Sequence, residues 1–151
     1  STAALPFLYP WANRLAGLRY QAAGRVVELE PRSPLLHFDG RGLPMHGVPG
    51  AKLTWSAVGH DVAVEMRAGA AAGTLERATL RATLAWTGAE LLAPFPYPHS
   101  LELSVALDAG GLEIATAVRA DAGVAVPVSF GFHPYFRLAG AARRDWRLAL
   151  P

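Results

Sequence analysis

The chain has 151 residues, 52% of them hydrophobic and 17% charged, which suits one domain with a buried core and excludes a disordered segment. Fourteen basic against twelve acidic residues leave a formal charge of +2, and the basic residues are scattered arginines apart from Lys52, with Arg143-Arg144 the only adjacent pair, so the basic stripe that a nucleic acid needs is missing. There is no cysteine for a disulfide or a thiolate metal site, and no apolar run approaches the ~18 residues of a membrane span. The opening residues lack a charged leader followed by an apolar stretch, so a cytoplasmic chain is expected, with no membrane or nucleic-acid partner. Ser1 and Pro151 both fall in what reads as mid-domain text, and the expectation is the central portion of a single longer domain.

Along the chain, the first distinctive segment is Pro10-Trp11-Ala12-Asn13-Arg14-Leu15. Tryptophan can stack on the apolar face of a sugar ring, and asparagine and arginine can hydrogen-bond its hydroxyls. Taken alone, the same residues also read as a polar turn with a surface arginine. Two strands are predicted over residues 18–21 and 25–29, with Gly24 at the bend. Next, Leu43-Pro44-Met45-His46-Gly47 places a histidine before a glycine in a proline-bounded loop. Glycine permits close backbone approach, and histidine changes charge near neutral pH. By itself, His46 reads rather as a loop histidine without a role.

Residues 52–58 are expected to form a strand with Trp55 buried, and residues 61–67 another, with Val62, Val64 and Met66 on one face. From residue 77 to 86, Ala78, Leu80, Ala82, Leu84 and Trp86 alternate with Arg77, Thr79, Arg81 and Thr83; the alternate threonines favour a strand over a helix. Pro94-Phe95-Pro96-Tyr97-Pro98-His99 is a proline-stiffened extended segment, read as mainly structural, with His99 an uncertain pocket member. Residues 101–119 form a hairpin about Asp108-Ala109-Gly110-Gly111. Finally, Ser129-Phe130-Gly131-Phe132-His133-Pro134-Tyr135-Phe136 follows a strand-like 126–128 and sets one histidine among four aromatics. Burial there would favour the neutral imidazole and suit an acid or base working near pH 7. The competing account is a core histidine satisfied by a backbone carbonyl.

The fold expected from short alternating strands, frequent glycine and proline, and no apolar helical stripe is all-β, an antiparallel β-sandwich. Other chemistries fit poorly. Ser129 is not in a nucleophile elbow, the five histidines (37, 46, 60, 99, 133) lack metal-ligand spacing, and Gly110-Gly111 is a hairpin turn. His37 and His60 flank strands and read as surface residues.

Together, Pro10 to Arg14, Pro44 to Gly47, Phe95 to Glu102 and Ser129 to Leu138 resemble, in order, the aldose 1-epimerase (galactose mutarotase) family. The resemblance implies a large β-sandwich, the galactose mutarotase-like supersandwich, incomplete here at both ends. It implies a free sugar as substrate, its α and β anomers interconverted by acid/base ring opening without any cofactor or metal. By the same resemblance His133 protonates the ring oxygen, His46 binds sugar oxygens, Arg14 binds substrate and Asn13 supports it. The family's general base is a glutamate of its C-terminal half that no carboxylate here matches, so the chain alone is expected to be inactive or very weak. The alternatives are a hexose-6-phosphate epimerase relative, which needs further cations for the phosphate, a non-catalytic carbohydrate-binding domain, and a purely structural sandwich.

Overall fold

The predicted hairpin forms as β6 (His99–Asp108) and β7 (Gly111–Ala120), paired antiparallel without interruption from His99↔Ala120 to Asp108↔Gly111. Ala109 and Gly110 make the turn, and the Asp108 carboxylate accepts the N–H groups of Gly110 and Gly111. These descriptions come from a computed structural model that covers residues 5–65 and 74–149. Beside β6 lies β5 (Thr74–Trp86), and beside β5 lies β4 (Ser56–Glu65), giving a four-stranded antiparallel sheet in the order β4-β5-β6-β7.

The two strands expected over residues 52–58 and 61–67 are one. Gly50–Lys52 is a 3-10 turn, and β4 then runs unbroken through Gly59, where the register shifts between Ala57 and Gly59. A glycine lets a strand absorb such a bulge without ending it, which the alternation pattern could not show. Met66 and Arg67 lie outside the described residues. Trp55 is half-buried rather than buried, edge-on to Phe7 at 6.0 Å.

Two ribbons complete the β structure. The strands β2 (Arg19–Ala22) and β3 (Arg25–Glu28) meet at an Ala23-Gly24 turn, both residues at positive φ, as tight hairpins require. The short β1 (Phe7–Leu8) pairs with β8 (Gly131–Phe132), and residues 126–128 form no strand. Among the described residues the one α-helix is a single turn, α1 (Ala89–Leu92), and no helix there is long and apolar enough to cross a membrane. The all-β antiparallel architecture expected from the alternation is thus the one observed.

The core gathers at one end of the sheet. Leu84, Trp86 and Leu101, which share a face, pack against Tyr9, Leu35, Val48 and Leu53 and against Leu91, Phe95 and Tyr97. Trp86, Tyr9, Tyr97 and Leu101 are all but fully buried, each such side chain contributing roughly 1.5–3 kcal/mol through removal of apolar surface from water. A second cluster of Trp11, Val27, Leu29 and Leu36 packs under the β2–β3 ribbon, and Tyr20 touches both.

His99 belongs to this core and lines no pocket. It is 1% exposed, stacked on Trp86 at 5.6 Å and flanked by Tyr9 and Phe95. Its Nδ1 lies 2.5 Å from the Tyr97 carbonyl oxygen, which can only accept, so Nδ1 carries the proton. Nε2 therefore accepts from the Tyr9 hydroxyl at 2.7 Å. Burial holds the His99 pKa below its ordinary 6.5, outweighing the Tyr97 hydrogen bond and the Asp121 charge, both of which raise it. The unfolded chain therefore takes up this proton first as pH falls. The stability of the neutral imidazole is complete above about pH 6.5 and is lost below it, by at most ~1.4 kcal/mol per pH unit until the folded pKa is reached. Urea midpoints measured from pH 7.5 to 5.5 should decline in the wild type, and less steeply in His99→Leu. That variant should also lose ~1–3 kcal/mol at pH 7.5, because the Tyr9 hydroxyl and Tyr97 carbonyl are left buried without a partner.

Candidate functional site

His46 sits where two chain segments run side by side. Its N–H donates to the Asn13 carbonyl at 2.9 Å, Leu15 N–H donates to Pro44, and Val48 N–H to Tyr9. The residue itself is left-handed at φ 65°, an uncommon state for a non-glycine residue, though histidine enters it more readily than most, and one found at ligand sites. Gly47 follows at φ 69°, and a Cβ there would lie 2.0 Å from the Tyr9 carbonyl oxygen. The glycine after His46 is thus a requirement of contact: the Tyr9 backbone occupies the space of a side chain.

His133 is held by the same stretch from the other side. Phe7 and Leu8 pair with Phe132 and Gly131, and the His133 N–H donates to the Pro6 carbonyl at 3.0 Å. Residues 6 to 14 therefore carry both histidines, one near each end. The two imidazole centroids lie 5.6 Å apart at 60°. His133 is exposed, contrary to the expected burial among aromatics. Of the four aromatics that adjoin it in sequence, Tyr135 stacks on it at 4.8 Å, while Phe130 and Phe132 turn to Phe7. The alternation explains this: β8 sends Phe132 one way and the next residue the other.

Arg14 and Asn13 are both exposed, and both line a hollow of about 290 Å³ with Trp11 and Tyr20. Arg14 Nε donates to Asp39 at 2.5 Å, which leaves the two terminal amino groups of the guanidinium without a hydrogen bond among the described residues. Asp39 organises its own loop, its other oxygen accepting the N–H groups of Arg41 and Leu43. The Leu43 hydrogen bond first, and the Arg14 guanidinium second, hold its carboxyl down to about 2. Asp39 was not among the residues expected at the site. Asp39-Gly40-Arg41-Gly42 reads as a turn, and nothing in the sequence pairs it with Arg14, twenty-five positions away.

His37, read as a surface residue, is exposed, yet its ring stacks near that of His46 at 6.4 Å, so three imidazoles form a row. His46 is the middle one. Partial burial first, then His133, His37 and Arg14, lower its pKa below 6.5. At neutral pH His46 is an uncharged imidazole, able to donate one hydrogen bond and accept another. Among the described residues, no group of three histidine, aspartate or glutamate side chains could hold a metal ion.

Two measurements check this geometry. Gly47→Ala should destabilise the protein by at least ~1–2 kcal/mol from the left-handed backbone alone, with more from the clash at Tyr9; a urea midpoint equal to wild type would mean that the contact is loose. In an NMR titration, His133→Asn should raise the His46 pKa but leave it under 6.5, because burial, the larger cause, remains. No movement of the His46 curve would separate the two rings electrostatically.

No curated protein and no solved structure matches this chain. A family model does, that described as Aldose 1-epimerase, and it matches residues 2–149. That span takes in Arg14, Asp39, the three clustered histidines and the stretch that carries them, and the chain belongs to the aldose 1-epimerase family.

Proposed function

We propose that this chain carries the sugar-binding and proton-donating half of an aldose 1-epimerase site, acting on the anomeric carbon of a free hexose. The observation that carries the reading is the 5.6 Å approach of His46 and His133, with Arg14 close enough to influence His46. His133, exposed and steadied by Tyr135, protonates the ring oxygen. As the ring C–O bond breaks, a base takes the proton of the anomeric hydroxyl, giving the open aldehyde. Rotation about the adjoining C–C bond and attack on the other aldehyde face close the ring as the other anomer, with the two proton transfers reversed. His46, kept neutral by burial first and then by the adjoining imidazoles and the Arg14 guanidinium, hydrogen-bonds the sugar oxygens without adding a charge. Arg14 offers its two unengaged amino groups to hydroxyls, held at the angle Asp39 sets, and Asn13 supports it. The base, on this reading, is a glutamate outside residues 1–151.

A second reading has one observation behind it. The hollow of about 600 Å³ beside His133 is lined by Arg143 and Arg147 as well as Tyr135 and Trp146. Two guanidiniums there would suit a sugar bearing a phosphate.

Polarimetry with the gene-encoded full-length protein tests both. His133→Ala should slow mutarotation of α-D-glucose or α-D-galactose by ~10²–10⁴-fold, the usual worth of a positioned acid. Arg14→Ala should chiefly raise KM. Equal rates for wild type and His133→Ala would turn the assignment to a carbohydrate-binding module. A preference for the 6-phosphate that is lost in Arg147→Ala would favour the phosphorylated substrate.

A further inference from the structure

Three pieces of chain run side by side at His46. On one side Met45 bridges Arg14, with Leu15 N–H donating to Pro44 and His46 N–H to Asn13. On the other, Phe38 bridges Pro44, Met45 N–H donates to the His37 carbonyl at 2.8 Å, and Asp39 N–H donates to Leu43. Residues 37–46 are thus a small hairpin that turns over Gly40-Arg41-Gly42. Its second arm lies between its first arm and residues 13–15.

Alternation decides what the first arm presents. Phe38 packs against the second core cluster, that of Trp11 and Val27. His37 and Asp39, on either side of it, therefore leave on the opposite face. There Asp39 reaches Arg14, and the His37 ring meets the ring of His46, 6.4 Å away and within 27° of parallel. In a regular arm His46 would instead share the face of Phe38, because Pro44, two positions earlier, stands opposite Phe38. The left-handed backbone at His46 breaks that alternation and brings its ring round to the side of His37 and Asp39.

The side-chain hydrogen bonds made by imidazoles among the described residues both belong to His99, so none there fixes the ring of His46. The outer torsion of a histidine has a broad well, and a ring without a hydrogen bond needs another restraint. His37 lies flat along one flank of His46, while His133 stands on the other at 5.6 Å and 60°.

We propose that His37 is a positioning residue for His46, its ring walling one flank so that the imidazole keeps a single orientation toward the sugar. The role rests on the sugar-binding reading of His46. One arm, residues 37–39, thereby sets both polar groups of the site, the guanidinium through Asp39 and the imidazole through His37. Without the wall, the His46 ring has to be ordered when the sugar binds, a cost that preorganisation avoids. His46 contacts the sugar before ring opening as well as during it, so the loss falls on KM rather than on kcat.

Polarimetry of α-D-glucose mutarotation by the full-length protein tests the role. His37→Ala should raise KM about 2–10-fold and leave kcat within about twofold of wild type. His37→Phe, which keeps a flat ring but carries no charge, should restore KM. By NMR, His37→Phe should raise the His46 pKa yet leave it under 6.5, because burial, the larger cause, remains. The role is overturned by a His37→Ala KM equal to wild type, by equal impairment of both variants, or by a His46 titration that ignores His37→Phe. A wild type without mutarotase activity would overturn the sugar reading and this role together, whereas an active enzyme indifferent to position 37 would overturn this role alone.

Discussion

Everything at the candidate site depends on one close backbone approach. The Tyr9 carbonyl lies where a side chain at position 47 would be, and through that contact the stretch from Pro6 to Arg14 grips the loop bearing His46. Seven residues earlier in that loop, Asp39 takes hold of Arg14; at the other end, Pro6 takes hold of His133. Two histidines eighty-seven positions apart in sequence are thereby referred to a single piece of chain, and the distance between their rings is set by backbone hydrogen bonds rather than by side-chain packing. Tyr9 is also where the site meets the core. Its ring is fully buried against Trp86 and Phe95, and its hydroxyl, whose pKa burial drives upward, donates to His99. The core fixes Tyr9, and Tyr9 fixes the site.

That arrangement accounts for the electrostatics. His46 is half-buried with one imidazole on either side and a guanidinium nearby, so both desolvation and charge act against its protonation. His133 stands at the open end. One ring of the pair is thus the natural hydrogen-bonding partner of a neutral ligand, and the other is reachable by a group that needs a proton. Asp39 keeps Arg14 from being a free-swinging charge. Held from below by two backbone N–H groups, its carboxylate stays ionised well into acid, and the guanidinium keeps its anchor across the whole range in which histidines titrate.

Legibility in the sequence followed the range of the interaction. The β6–β7 hairpin and the alternation in β5 are local, and period-two patterning with a glycine turn declares them. The fusion of two expected strands into β4 was hidden because a bulge at Gly59 leaves no mark in a hydrophobic pattern. His46, His133, Arg14 and Asn13 stood out by residue type and, above all, by resemblance. What could not be read was their surroundings. His133 looked buried because four aromatics adjoin it in sequence, yet β8 sends Phe132 and His133 to opposite sides. His99, in a segment read as mainly structural, is legible only as an uncertain pocket member because Tyr9, which closes over it and bonds its ring, lies ninety positions away. Asp39 and His37 owe their places wholly to tertiary contacts, and only their residue types hinted at a use.

The division of the sheet links these points. One end of its apolar face is sealed by Tyr9, Trp86 and the proline-stiffened 94–98 segment, and that end supports the histidine row. At the other end, Val62, Leu80, Leu107 and Leu112 are 41–56% exposed, on a face whose alternation is as regular as where it is buried. Regular alternation is what a strand shows when its face is meant to be covered, since an uncovered face gains nothing from apolar residues at every second position. The buried packing is therefore concentrated at the end that carries the chemistry, while the opposite end leaves its apolar face exposed among the described residues. A site assembled from three backbone segments needs a stiff platform, and the placement of the core under Tyr9 supplies it without drawing on that open half of the sheet.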